Sequence, residues 1–160
     1  MPPGSASRRC AQNARWATSS VRPASGGRRS VVVLDTNALI YDALQPKRLT
    51  RLALRAIEAA SENGEIACSD ISLWEIAMLV AKKRLDPGAE LTQFLHDMIQ
   101  ARALRVLPIT PEIAALSQSR QFSHGDPADR IISATALYHH ARLISADAKL
   151  RNLKVLEVVW

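Results

Sequence analysis

The chain is predicted to fold as a single α/β domain with a mostly parallel central sheet covered on both faces. Three observations predict it. From Val31 onward, short apolar runs alternate with longer segments of helical periodicity. Gly, Pro and Asn punctuate the joins between them. At 160 residues the chain reads as one domain, large enough for a real core.

The elements follow in order. Val31-Val32-Val33-Leu34 and the acid that closes it, Asp35, make the first strand, 31–35, whose unbroken apolar run suits a strand buried on both faces. Helical periodicity occupies 49–62, and Asn63-Gly64 stops it. A strand is expected at 65–69 and a helix at 71–84, with Asp70 or Ser69 as its cap and Ile71, Trp74, Met78 and Leu79 as its apolar stripe. Asp86-Pro87-Gly88 breaks the chain before a helix at 89–103. A strand at 104–109 leads to a helix at 111–121, and a further helix spans 128–141. Pro111 and Pro127 suit the first turns of these two helices. Strands at 142–146 and 154–159 complete the sheet, and no internal repeat is visible.

Composition excludes several classes. The longest apolar runs are far too short to span a membrane. Cys10 and Cys68 are not in metal-binding spacing, so neither a zinc site nor a disulfide framework is read, and Cys68 is expected as a small buried hydrophobe. A reducing, cytoplasmic setting fits. The net charge of +6 resides in residues 1–30, which carry six arginines and no acids. The remaining chain balances 15 basic residues against 15 acidic ones, so any basic groove must be local. Residues 1–30 are rich in Arg, Ser, Ala, Pro and Gly without periodicity. They read as a disordered basic tail, or as residues ahead of a translation start near Val31, in preference to an organellar transit peptide. Residues 31–160 are the folded domain.

Asp35 sits at the carboxyl end of the first strand, where an α/β sheet presents its chemistry. It also suits a helix cap, with Asn37 either supporting it or simply in a loop. Glu75 lies over one turn into its helix, beside the apolar stripe, as a site acid or a solvated one. Asp126 before Pro127 has the signature of an N-cap, and Asp129 then occupies the third helical position at the rim of an apolar helix. His124 and Arg130 read as loop and surface residues, and His139 and His140 as helix-end residues. Asp147 ends Leu143-Ile144-Ser145-Ala146 and repeats the placement of Asp35, with Ser145 either orienting it by hydrogen bonding or simply a small strand residue. Clustered carboxylates repel one another unless a cation neutralises them. Oxygen-only ligands suit Mg²⁺ or Mn²⁺ rather than zinc. Such an ion activates water and offsets charge on a phosphoryl group, which points to phosphodiester chemistry. No glycine-rich phosphate loop, GxSxG or HExxH is present.

With these residues in place, the chain resembles a PIN-domain ribonuclease, and more narrowly a VapC-type toxin of a type II toxin–antitoxin pair. The resemblance rests on VVVLDTNALIY at 31–41, SDISLWEIAML at 69–79, HGDPADRIISATAL at 124–137 and LISADAKL at 143–150. Each segment is weak singly, but the four in order are specific. The resemblance implies a three-layer α/β/α fold and a homodimeric, metal-dependent endoribonuclease. It implies that Asp35, Glu75, Asp129 and Asp147 hold Mg²⁺ or Mn²⁺ and position water against an RNA phosphate. Asn37, Asp126 and Ser145 would lie behind them, with Asp126 competing with Asp129 for third place. It further implies an antitoxin that inserts a segment into the groove. Ala128 departs from the aromatic residue frequent at that position.

Two other readings remain open: a PIN-like module that binds RNA or protein without cutting, and, ranked last, an acidic-pocket phosphatase that lacks the second Asp of an Asp-x-Asp pair. The choice of RNA would lie in local surface shape and charge. Lys47, Arg48 and Arg51, or Lys82, Lys83 and Arg84, are the candidate basic surfaces, although such clusters are more often solvated helix faces.

Overall fold

The computed structural model describes residues 31–122 and 125–160. The expectations for residues 1–30 and for His124 lie outside it. Strand β1 (Val32–Leu34) opens the domain and is followed by α1 (Thr36–Leu44), a 3₁₀ turn at Pro46–Arg48, and α2 (Arg51–Glu62). Then come β2 (Ile66–Ser69), α3 (Asp70–Ala81), α4 (Leu91–Ala101), β3 (Arg105–Leu107) and α5 (Pro111–Ser117). The chain closes with α6 (Pro127–Tyr138), β4 (Arg142–Ile144), α7 (Ala148–Arg151) and β5 (Val158–Val159).

All strand pairs are parallel, in the order β3-β2-β1-β4-β5. The chain builds outward from β1 through β2 to β3, then returns to the other side of β1 with β4 and β5. The order therefore reverses between β1 and β4, and the crevice at their carboxyl ends is the switch point where open α/β sheets bind ligands.

Side-chain alternation builds the layers. Val32, Leu34, Ile66, Cys68 and Ile144 face one side and pack with Ile57 of α2, Ile76 of α3 and Phe94 and Met98 of α4. Val33, Ala67 and Leu143 face the other and pack with Ile132 and Ala136 of α6 and Leu150 of α7. Ile113 and Phe122 lay α5 and its following turn over Ala134 of α6. The expected three-layer α/β/α arrangement, with a parallel sheet, is what forms.

Three details differ from expectation. Helix α1 was not anticipated, because Ala38-Leu39-Ile40 is a solid apolar run with no 3.6 spacing to read. The helices expected over 71–84, 89–103 and 128–141 end two or three residues early, and the one expected over 111–121 ends at Ser117. Lys83, Ala103 and His140 take left-handed backbones with φ of 55°, 48° and 51°. Each is followed by an amide that bonds back five residues: Arg84 to Leu79, Leu104 to Ile99 and Ala141 to Ala136. This closes the helix in the manner usually reserved for Gly, and α2 does end that way, at Gly64. Without Gly the stop is invisible in sequence. Finally, Trp74 does not face the core. It is 59 % exposed, and the buried positions of α3 are Ser72 and Ile76.

Candidate active site

The carboxyl ends of β1 and β4 each deliver an acid that caps a helix. Asp35 follows β1, adopts an extended backbone, and accepts a 2.6 Å hydrogen bond from the Ala38 amide at the start of α1. Asp147 follows β4 and accepts 2.6 Å from the Lys149 amide at the start of α7. Asp126 accepts 2.9 Å from the Ala128 amide at the start of α6. Capping and a place in the site are thus not alternatives for these residues. A cap must stand where a strand gives way to a helix, and that is also the mouth of the sheet.

Asp35 is the pivot. Its side chain is only 2 % exposed. Burial pushes its carboxyl up to about 6, against hydrogen bonds from Ser145 and the Ala38 amide that favour the ion, and the charges of Asp129 and Asp147 raise it further. Ser145, fully buried, also accepts 3.1 Å from the Asp147 amide, so one hydroxyl ties the ends of β1 and β4 together.

Glu75 enters from α3. Its carboxyl is held above the ordinary range, first by burial and then by the charges of Asp129 and Asp126, while a hydrogen bond donated by Thr36 opposes the rise. That short bond from the Thr36 hydroxyl to Glu75 Oε2 joins the first residue of α1 to the middle of α3. Asp129 acts on both Asp35 and Glu75, whereas Asp126 is exposed and acts on Glu75 more weakly than Asp129 does.

The structure therefore brings Asp129 and Asp147 within electrostatic reach of Asp35, and Asp129 within reach of Glu75. It does not close them into a preformed shell: among the described residues no three Asp, Glu, His or Cys side chains stand together as a ready metal cage. Like charges without a counter-ion separate, and Mg²⁺ takes only one or two carboxylates directly, filling its octahedron with water. The donor set fits such an ion. It is all oxygen, and a carboxyl forced up to about 6 by burial and neighbouring acids is one that a cation would relieve.

Other expectations sort themselves plainly. Asn37 is exposed and lines an adjoining cleft. Ser69 is the N-cap of α3 by position but makes no capping bond with its side chain, and its hydroxyl lies 3.4 Å from that of Thr135. Asp70 accepts instead from the Ile109 amide at 3.1 Å, anchoring the exit from β3. Arg130 is structural, donating 2.8 Å to the Ser117 carbonyl and so pinning α5 to α6. His139 is the C-cap of α6. Cys68 is fully buried, and burial pushes its thiol up to about 12. Sequence reasoning missed Thr36 as the partner of Glu75. The signal was its place directly after a capping acid, which fixes the hydroxyl at the first turn.

A five-stranded parallel sheet with helices on both faces and acids at the switch point defines an α/β domain whose crevice faces the carboxyl ends of its strands. The PIN domain profile matches residues 32–156, and the chain belongs to the PIN-domain family. Within it the chain is 36% identical over 124 residues to Ribonuclease VapC22 of Mycobacterium tuberculosis, covering 77% of this chain and 92% of that protein. Among solved structures it is similar to VapBC2 of Rickettsia felis bound to a promoter DNA fragment, with a TM-score of 0.61 and 18% identity over 80% of this chain and 96% of that one. A toxin–antitoxin complex from Klebsiella pneumoniae matches with a TM-score of 0.52 and 26% identity, over 78% of this chain and 94% of that one.

Proposed function

We propose that this protein is a divalent-metal-dependent endoribonuclease, the toxin of a toxin–antitoxin pair. The observation that carries the reading is the buried Asp35 carboxyl, raised to about 6 in the field of Asp129 and Asp147. An acid in that setting at neutral pH calls for a cation, and the relatives named above supply the chemical class.

Asp35, Glu75, Asp129 and Asp147 would hold Mg²⁺ or Mn²⁺. The bound ion supplies positive charge against the phosphoryl oxygens and a water acidic enough to attack phosphorus. The chain does the rest. Asp35 is fixed by Ser145 and the Ala38 amide, so its carboxylate needs no reorganisation. Thr36 fixes Glu75 on the facing helix. Asp129 takes the third position and Asp126 caps its helix, an assignment supported by the greater weight of Asp129 at both Asp35 and Glu75. Glu75 and Asp147, each less buried than Asp35, would take the proton from the attacking water.

An RNA substrate, a homodimer, an antitoxin lying over the groove and a cytoplasmic setting complete the reading. Among the described residues no helix is long and apolar enough to cross a membrane. The test is cleavage of single-stranded and hairpin RNA by antitoxin-free protein. Cleavage is expected with Mg²⁺ or Mn²⁺, lost with chelator and restored on adding the ion back. Undiminished cleavage in excess chelator would refute the metal role, and no cleavage under any ion would favour the silent binding module.

A further inference from the structure

The seam between α1 and α3 leads away from the acids. Thr36 and Glu75 meet at one end of it. One helical turn further, about 5.4 Å on, Ile40 and Leu79 wall a cleft of about 200 Å³. The same cleft is lined by Asn37, Tyr41, Arg48 and Arg84. Its volume is below the roughly 300 Å³ at which small-molecule pockets begin, so it suits a segment of an extended chain rather than a metabolite.

The cleft is built around an ordered arginine. The Arg48 guanidinium carbon lies 4.0 Å from the Tyr41 ring centroid. Its Nη1 donates 3.1 Å to Gln45. Tyr41 is braced in turn by Trp160, with ring centroids 6.0 Å apart. A guanidinium held over an aromatic ring keeps its remaining donors for a ligand and has less conformational freedom to lose. Arg84, which follows the left-handed Lys83, lines the same cleft. Both arginines are exposed.

We infer that this cleft holds the RNA chain one nucleotide away from the cut, with Arg48 and Arg84 on flanking phosphates and Asn37 beside the sugar. This rests on the ribonuclease reading and adds to it the residues that bind substrate. The acids at the switch point repel a polyanion, and the body of the chain, with 15 basic and 15 acidic residues beyond residue 30, offers no general attraction. Substrate must therefore be held by local cations at the mouth of the site. Forked arginines match phosphate, and the guanidinium face accepts a base by stacking.

The test measures binding apart from cutting. An Asp35→Asn chain, which binds without cleaving, is titrated with a short fluorescein-labelled single-stranded oligoribonucleotide across a salt series. Adding Arg48→Gln and Arg84→Gln together is expected to raise Kd roughly tenfold near about 0.1 M salt and to flatten the log–log salt slope by about 1.4, two phosphates' worth for a single strand. Arg84→Lys restores part of the slope. The same double change in the otherwise wild-type chain raises KM and leaves kcat nearly unchanged. Unchanged Kd and slope in a protein whose parent still cuts RNA would overturn the cleft assignment alone. So would loss of binding to an oligoglutamate probe with RNA binding intact, which marks a peptide site. Absence of RNA cleavage by the parent would instead refute the reading on which it rests.

Discussion

Asp35 combines three properties that rarely coincide: it is 2 % exposed, it caps a helix, and it lies in the field of two other acids. Its carboxyl ionises at about 6 in the folded chain against 3.8 when solvated. The folded protein thus holds the proton longer than the unfolded one. Stability from this group is fully present below pH 3.8 and is lost as pH rises through about 6. In metal-free protein at pH ~7 the ionised group costs up to about 3 kcal/mol, so Asp35→Asn is expected to melt higher than wild type there, with the advantage shrinking toward pH ~4. Urea melts across that range check it, and an advantage independent of pH would contradict it. Ser145→Ala removes the hydroxyl shared by Asp35 and the Asp147 amide. It is expected to lower cleavage roughly tenfold or more, as removal of a ligand's orienting partner does. Asp35 and Asp147 were legible in sequence because an acid after an apolar strand is a local pattern. Thr36 was not, because its partner Glu75 is 39 residues away. Asp126 and Asp129 could not be ranked from sequence, since capping explains Asp126 and the reach of Asp129 toward both Asp35 and Glu75 exists only in three dimensions.

Among the elements, helix ends carry the lesson. Strand positions and the helices other than α1 and α7 could be read from the sequence because apolar period and Gly/Pro breaks report them directly. The ends of α3, α4 and α6 could not, because Lys83, Ala103 and His140 occupy left-handed caps without Gly. A side chain there costs about 1 kcal/mol. Ala103→Gly, at an exposed site, is therefore expected to stabilise the chain by several tenths to about 1 kcal/mol, the reverse of the usual cost of Gly in a helix. A lower denaturation midpoint would contradict the assigned cap. α1 is tied to the end of α4 by a two-pronged ion pair, Arg102 to Asp42 at 2.7 and 2.9 Å, which holds the Arg102 guanidinium above its ordinary range. Strand β2 is sealed on both faces, and Cys68 within it is expected to resist thiol reagents until unfolding; in a Cys10→Ser chain, rapid labelling under native conditions would contradict this.

At the scale of the whole molecule, the strand order does what no single segment can. Returning the chain from β3 to the far side of β1 places Asp35 and Asp147 on neighbouring strand ends, and α3 and α6 bring Glu75 and Asp129 to the same crevice. An ion bound there ties four distant segments together, so Mg²⁺ or Mn²⁺ at a hundredfold excess over Kd is expected to add about 2.7 kcal/mol to stability. The gain should vanish in Asp35→Asn. The central claim is that these acids carry RNA cleavage, and the most direct measurement is the cleavage rate of Asp35→Asn beside wild type, with Mn²⁺ and no antitoxin. The expected result is no detectable cleavage by a variant whose circular dichroism and melting are those of a folded domain. Wild-type cleavage by that variant would contradict the account.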